Sequence, residues 1–237
     1  MVSPAAAGHL LPRALFEPRA SSGEESTMDY RSEPLMRYLD DASAARPTPG
    51  GGSVAAVAAA LASTMASMAA GFTLGKEKFK AVEPDIQAAI ARLADLRGSL
   101  LDMAHEDMAA YEAVMAAYRL PKNTDAEKAA RAEAVRRATK ASLGLVLRVL
   151  AAARDVAEAS RRLADIANPN LLSDVGVAAE LALGAARAAR INAAVNLSGY
   201  SDAADASAAC LAADAAVAET ERLAGETRGI VVKHLGR

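Results

Sequence analysis

Residues 47–72 read PTPGGGSVAAVAAALASTMASMAAGF, a proline-framed glycine turn that runs into twenty residues without a charge. How this stretch is read decides the fold. Ala, Leu and Met lose little side-chain entropy in a helix, so 53–72 is expected to be helical, with Ser53 as its N-cap. A bilayer span, a phosphate-binding loop and a buried helix whose amino end touches a ligand would each explain the glycines differently. About 20 apolar residues suffice to cross a bilayer. This segment, however, is built from Ala and Ser with few Leu or Val, and nothing else in the chain resembles a second span. A helix buried among other helices, approached closely through its small side chains, is the preferred reading.

The composition agrees. With 52% hydrophobic and 24% charged residues in 237, the chain can bury one sizeable core, and with only 3% aromatics and no Trp that core is largely Ala. We expect an all-α fold, a single antiparallel helical bundle. The 27 basic and 29 acidic residues give a net charge of −2, which supplies no basic field for nucleic acid. The single cysteine, Cys210, excludes an intrachain disulfide, and three scattered histidines leave no zinc-ligand spacing, so no metal is expected and a reducing cytoplasm fits. Residues 1–27 mix Pro, Gly, Ser and charges without a sustained apolar run. They read as a disordered tail lacking a secretory core, with the domain occupying 28–237.

Prolines and glycines punctuate the helices. One is expected over about Glu33 to Ala45, ending before Pro47, and the uncharged one runs to about Phe72. A basic connector, TLGKEKFK, follows at 73–80. Further helices are expected from Pro84 to Arg119, from Ala126 to Ala167 with a weak point at Gly144, from Ser173 or Asp174 to Leu197, and from Ala203 to Ala224. Pro121 and Asn168-Pro169-Asn170 supply the breaks, and no strand-like alternation competes.

Two helices carry polar residues where apolar ones belong. At about 100° per residue, Asp107 shares a face with Leu100, Met103, Ala104, Tyr111, Val114 and Tyr118. A carboxylate in an apolar stripe must be paired, hydrogen-bonded or protonated, which makes it a candidate for acid–base work; a structural Asp bonded to a neighbouring turn is the alternative. Asp174, Asn192 and Asn196 share one face of the fifth helix, where the asparagines can bridge to another helix or to a ligand's amide edge. Asp174 also suits the helix dipole as a plain N-terminal charge. The Gly50-Gly51-Gly52-Ser53 turn offers free N–H groups to a carboxylate or carbonyl, or is simply a tight turn. Lys76, Lys78 and Lys80 suit an anionic tail or plain solvent. Gly71 to Lys76 fails as a phosphate loop on spacing, and His105 is expected at the surface.

Four blocks in order, PTPGGGSVAA, TLGKEKF, EDMAAYEAVMAAYRLPK and LLSDVGVAAELALGAARAARINAAVNL, resemble the cyclodeaminase/cyclohydrolase family, which includes the C-terminal domain of formiminotransferase-cyclodeaminase and stand-alone methenyltetrahydrofolate cyclohydrolases. The resemblance runs from about Ser32 to the last helix. It departs at Gly71, where a polar residue is common, and at Gly144, where Pro is common.

The resemblance implies a helical homodimer binding folate in a groove made partly by the subunit interface. It also implies that a tetrahydrofolate derivative is the substrate and that no other cofactor is needed. Site residues carried over are Pro49, Gly50, Gly51, Gly52, Ser53, Lys76, Lys78, Lys122, Ser173, Asn192 and Asn196 for binding, with Asp107 and Asp174 as carboxylates for chemistry. The motifs do not separate 5,10-methenyltetrahydrofolate hydrolysis from ammonia release by 5-formiminotetrahydrofolate. The absence of a preceding transferase domain tilts the expectation to the hydrolase. A folate-binding dimer without turnover is the rival of another class, and a bundle without a ligand a third.

Overall fold

The computed structural model describes residues 28–198, 200 and 202–236; the expected tail over 1–27 lies outside the described residues. Six α-helices and no strands occur among them: α1 (Leu35–Ser43), α2 (Gly51–Gly71), α3 (Glu83–Arg119), α4 (Asp125–Ile166), α5 (Leu172–Leu197) and α6 (Ala203–His234). The fold is all-α. Short 3₁₀ turns at Glu77–Val82 and Pro169–Leu171 lead into α3 and α5.

α2 is the centre of the molecule, packing against α3, α4 and α5. Most of its alanines, among them Ala56, Ala59, Ala62, Ala66 and Ala69, are fully buried, so neighbouring backbones come close because there is little side chain to hold them apart. Among the described residues it is the one helix long and apolar enough to cross a bilayer, yet half of its most apolar window is buried against other helices. Ser63, fully buried, donates to the Leu93 carbonyl of α3 at 2.6 Å, which satisfies a polar group that would otherwise penalise burial.

Two boundaries differ from the sequence reading. Ser53 is not the N-cap of α2; Gly50 is, and Ser53 is the third residue inside the helix. α4 is the single helix expected, running through the weak point at Gly144 on a Thr124–Glu127 capping box and buried Leu143, Leu145 and Val146. α6 continues ten residues past the expected end at Ala224. Gly225 and Gly229 face open space, and Thr227, Ile230 and Val231 pack on the core, so tertiary burial outweighs the roughly 1 kcal/mol helix penalty of each glycine.

The two ends of α2 both meet α5. Gly51 lies beside Asn192, near the carboxyl end of α5, and buried Thr73, just past α2, accepts a 2.8 Å hydrogen bond from the Asn168 N–H just before α5. Thr73 also donates to Ala69 O at 2.9 Å. Thr73→Val keeps the shape but orphans the buried Asn168 N–H, and is expected to destabilise the fold by about 1–3 kcal/mol in urea unfolding.

Candidate active site

At the amino end of α2 the third residue of the helix, like the first two, has an N–H with no acceptor within the helix. Ser53 gives that N–H to Asp107 Oδ2 of α3 at 2.9 Å. The carboxylate can come so close because position 52 has no side chain: a Cβ there would lie 2.6 Å from Asp107 Cγ and 2.8 Å from Oδ2, and nearer still to Oδ1. Position 51 repeats the device more loosely, since a Cβ would meet the Asn192 amide of α5 at 3.2 Å. Two of the three glycines are therefore occupied by close approach. Gly50 has only Pro47 O at 3.5 Å and serves as the cap, after a buried Pro49 joined by a cis peptide to Thr48.

Asp107 is mostly buried. Burial pushes its carboxyl above the usual carboxylate range, and the Ser53 N–H pulls it part of the way back. Among the described residues no basic side chain pairs with it. Its neighbours on α3 look elsewhere: Glu106 pairs with Arg148 of α4 at 2.8 Å, and Asp102 pairs with Arg31. The α2 dipole end and one backbone donor are thus its main support when ionised. The apolar stripe on which it was found is buried only up to this level. Leu100, Met103 and Ala104 are in the core, whereas Tyr118 is exposed because α3 and α4 project beyond the end of α2.

On its side-chain face Ser53 meets Tyr38 of α1, hydroxyl to hydroxyl at 3.1 Å, with both residues buried. Sequence reasoning missed Tyr38; the one signal was an aromatic residue on a helix leading into the glycine turn, in a chain with few aromatics. Its ring packs edge-on against Tyr30, with centroids 5.1 Å apart. Tyr30 donates to Asp41 at 2.8 Å, and Asp41 also holds Arg37 and Arg46, pinning the approach to the turn. A cavity of about 180 Å³ opens beside Tyr38 and Ser53, floored by Val57, Leu101 and Met108. His105, expected at the surface, lines it and has a buried Nδ1 without a partner among the described residues.

The other sequence candidates scatter. Asn192 donates to Ala188 O of its own helix while its amide faces Gly51. Asn196 donates to Ser142 Oγ at 3.0 Å and so ties α5 to α4. Asp174 is half-buried in the first turn of α5, about 27 Å along that helix from Asn192 at 1.5 Å per residue, with Ser173 exposed beside it. Lys76 and Lys78 are exposed beyond the far end of α2, and Lys78 lies over the Phe79 ring at 4.6 Å. Lys122 is exposed in the α3–α4 connection. One chain therefore gathers Gly50 to Ser53, Asp107 and Asn192 at one end and leaves Asp174, Ser173, Lys76 and Lys78 at the other. No three His, Cys, Asp or Glu side chains cluster as a metal site among the described residues.

A family model described as formiminotransferase-cyclodeaminase matches residues 34–215. The methenyltetrahydrofolate cyclohydrolase of Methylorubrum extorquens is 38% identical over 171 residues, covering 72% of this chain and 82% of that protein. The mouse formimidoyltransferase-cyclodeaminase is 31% identical over 182 residues, and the match covers 77% of this chain but 33% of the mouse protein. The crystal structure of formiminotetrahydrofolate cyclodeaminase from Thermotoga maritima superposes with a TM-score of 0.79 at 27% identity, covering 86% of this chain and 98% of that one.

Proposed function

Because this chain belongs to the formiminotransferase-cyclodeaminase family, we propose that it is an enzyme of tetrahydrofolate one-carbon chemistry, a 5,10-methenyltetrahydrofolate cyclohydrolase forming 10-formyltetrahydrofolate. The observation that carries this reading is the mostly buried Asp107 carboxylate held against Gly52 by the Ser53 N–H. The substrate's reacting carbon, between N5 and N10, is cationic. Water adds to it, the bond from that carbon to N5 breaks, and one proton is released. An ionised carboxylate beside it stabilises the cation and takes the proton from the attacking water. The folate enters as substrate, and the reaction needs no other cofactor. Asn192 bonds a pterin edge, and the lysines meet the glutamate tail.

The same carboxylate serves the second reading, formiminotetrahydrofolate cyclodeaminase, in which N10 attacks the formimino carbon and ammonia leaves. Here a proton must be delivered to the departing nitrogen. The specific observation in its favour is the Thermotoga structure, 98% of which this fold covers. The greater identity to the Methylorubrum enzyme, over most of that enzyme's length, favours the hydrolase. Purified protein is given each folate in turn, following methenyl absorbance and ammonia. Loss of methenyl absorbance above the spontaneous rate, with no ammonia from the formimino compound, supports the hydrolase. Ammonia release supports the deaminase, and silence in both with folate bound leaves a binding protein.

The working form in this proposal is a cytoplasmic homodimer of antiparallel bundles, clear of membranes and nucleic acid. Exposed Val54, Leu61, Met68 and Phe72 form a stripe along α2, and exposed Val177, Ile191 and Val195 form one along the adjoining α5. A two-fold axis lying across these helices buries both stripes and carries each copy's Asp174 and lysines toward the other's Asp107. Ile191→Glu is expected to shift the protein to monomer in analytical ultracentrifugation and to abolish turnover. Mixing inactive Asp107→Asn with inactive Asp174→Asn is expected to restore part of the activity. A monomeric wild type, or no recovery on mixing, would overturn the shared site.

A further inference from the structure

Ser53 is gripped from two sides, and only one grip is explained by the reaction proposed above. Its backbone N–H holds Asp107, while its side-chain hydroxyl is 3.1 Å from the Tyr38 hydroxyl. Phe at position 38 would fill the same space against Tyr30, so packing does not account for the phenol oxygen, whose hydrogen-bond partner is Ser53. Ser53 is 0% exposed and Tyr38 7%, so the two hydroxyls meet inside the fold rather than at its surface. The frame behind Tyr38 is stiff, since Tyr30, Arg37 and Arg46 all converge on buried Asp41.

We infer that Tyr38 is a positioning residue for Asp107, acting through Ser53: its hydroxyl fixes the first turn of α2 so that the Ser53 N–H stays aimed at the carboxylate. This rests on the reading of Asp107 as the carboxylate of the folate reaction. A hydrogen bond to the ionised form favours that form. Loosening the turn therefore makes Asp107 harder to ionise, and activity fails at a higher pH. The surroundings leave Ser53 as the main handle. α1 presents the Tyr38 phenol and α3 the Tyr111 phenol, neutral groups whose titration burial pushes higher still, and α5 presents the uncharged Asn192. The charged neighbours are drawn off, Glu106 to Arg148 of α4 and Asp102 to Arg31, while His105 faces the cavity.

The test compares wild type with Tyr38→Phe, Ser53→Ala and the double variant, reading kcat and KM against pH, melting temperature and the ¹³C-carboxyl titration of Asp107. Tyr38→Phe is expected to lower kcat roughly fivefold to twentyfold with KM changed less than about twofold. The acid limb and the Asp107 titration are both expected to move to higher pH. Ser53→Ala, which keeps the backbone N–H, should do the same, and the double variant should be no worse than the worse single one, because both remove one link. A lower melting temperature with an unmoved profile and titration would make the phenol merely structural and overturn the inference. So would additive effects. If wild type turns over neither folate, the proposed function fails instead, and the carboxyl titration still decides whether Tyr38 governs Asp107.

Discussion

Asp107→Asn is expected to lower kcat by about 10²–10⁴-fold, the range associated with a positioned acid–base group, while folate affinity stays within a few-fold. The substitution is clean because Asn Oδ1 can still accept the Ser53 N–H, so charge is removed and the hydrogen bond is kept. The pH dependence follows from burial. The Asp107 carboxyl titrates above the ordinary carboxylate range, so wild-type activity should fall on the acid side as pH drops through that raised value. Stability runs the other way. A carboxyl whose folded value is raised favours the fold while protonated and loses that contribution as pH rises through the folded value. Asn, neutral throughout, is therefore expected to melt at or above the wild-type temperature at pH 8, in scans that also cover pH 5. Full turnover in Asp107→Asn, or a severe loss of folding, would assign Asp107 a structural role.

Gly52→Ala is expected to cost about 1–3 kcal/mol through overpacking and to reduce turnover as severely as loss of the carboxylate itself, because the new methyl occupies the place of Asp107. The three glycines make a graded series. Ala at position 51 meets the Asn192 amide at 3.2 Å, which a small rotation of the amide relieves, so a milder loss is expected. At position 50 the nearest atom, Pro47 O at 3.5 Å, is at ordinary contact distance, so Ala there should leave turnover almost unchanged and cost only the poorer N-cap. Chemical denaturation and single-turnover assays on the three variants check the order. Equal effects at all three positions would mean that flexibility of the turn, rather than the closeness of Asp107, is what the glycines provide.

Much of this was legible in the chain. The uncharged stretch after Pro49 is the central helix, and the breaks at Pro121 and Asn168-Pro169 fall where helices end. Asp107, singled out by its place on an apolar stripe, lies against the glycine turn. The misses share a cause. Ser53 looked like a cap because cap residues are recognised by type, yet the chain enters the helix two residues earlier, and the Ser53 N–H is taken by Asp107 of α3. His105 looked exposed on its own helix, yet it lines a cavity with the segment around Asp29 to Glu33 and with Leu35 and Tyr38 of α1. Asn196, open from the sequence to bridging another helix or meeting a ligand, bridges to Ser142 of α4, a choice that no helical period makes.

The sequence by itself determined that the chain is helical, roughly where five of the six helices stop, and that one carboxylate sits on the wrong face. These are local properties: side-chain entropy, proline's missing donor and the 3.6-residue period act between residues close along the chain. Tertiary structure alone decided that Gly52 gives its space to Asp107, that Tyr38 reaches Ser53, and that Asn192 of α5 lies beside Gly51 of α2. Those are pairings between distant segments. They depend on which helix lies across from which and in what direction, and no period within a single helix encodes that.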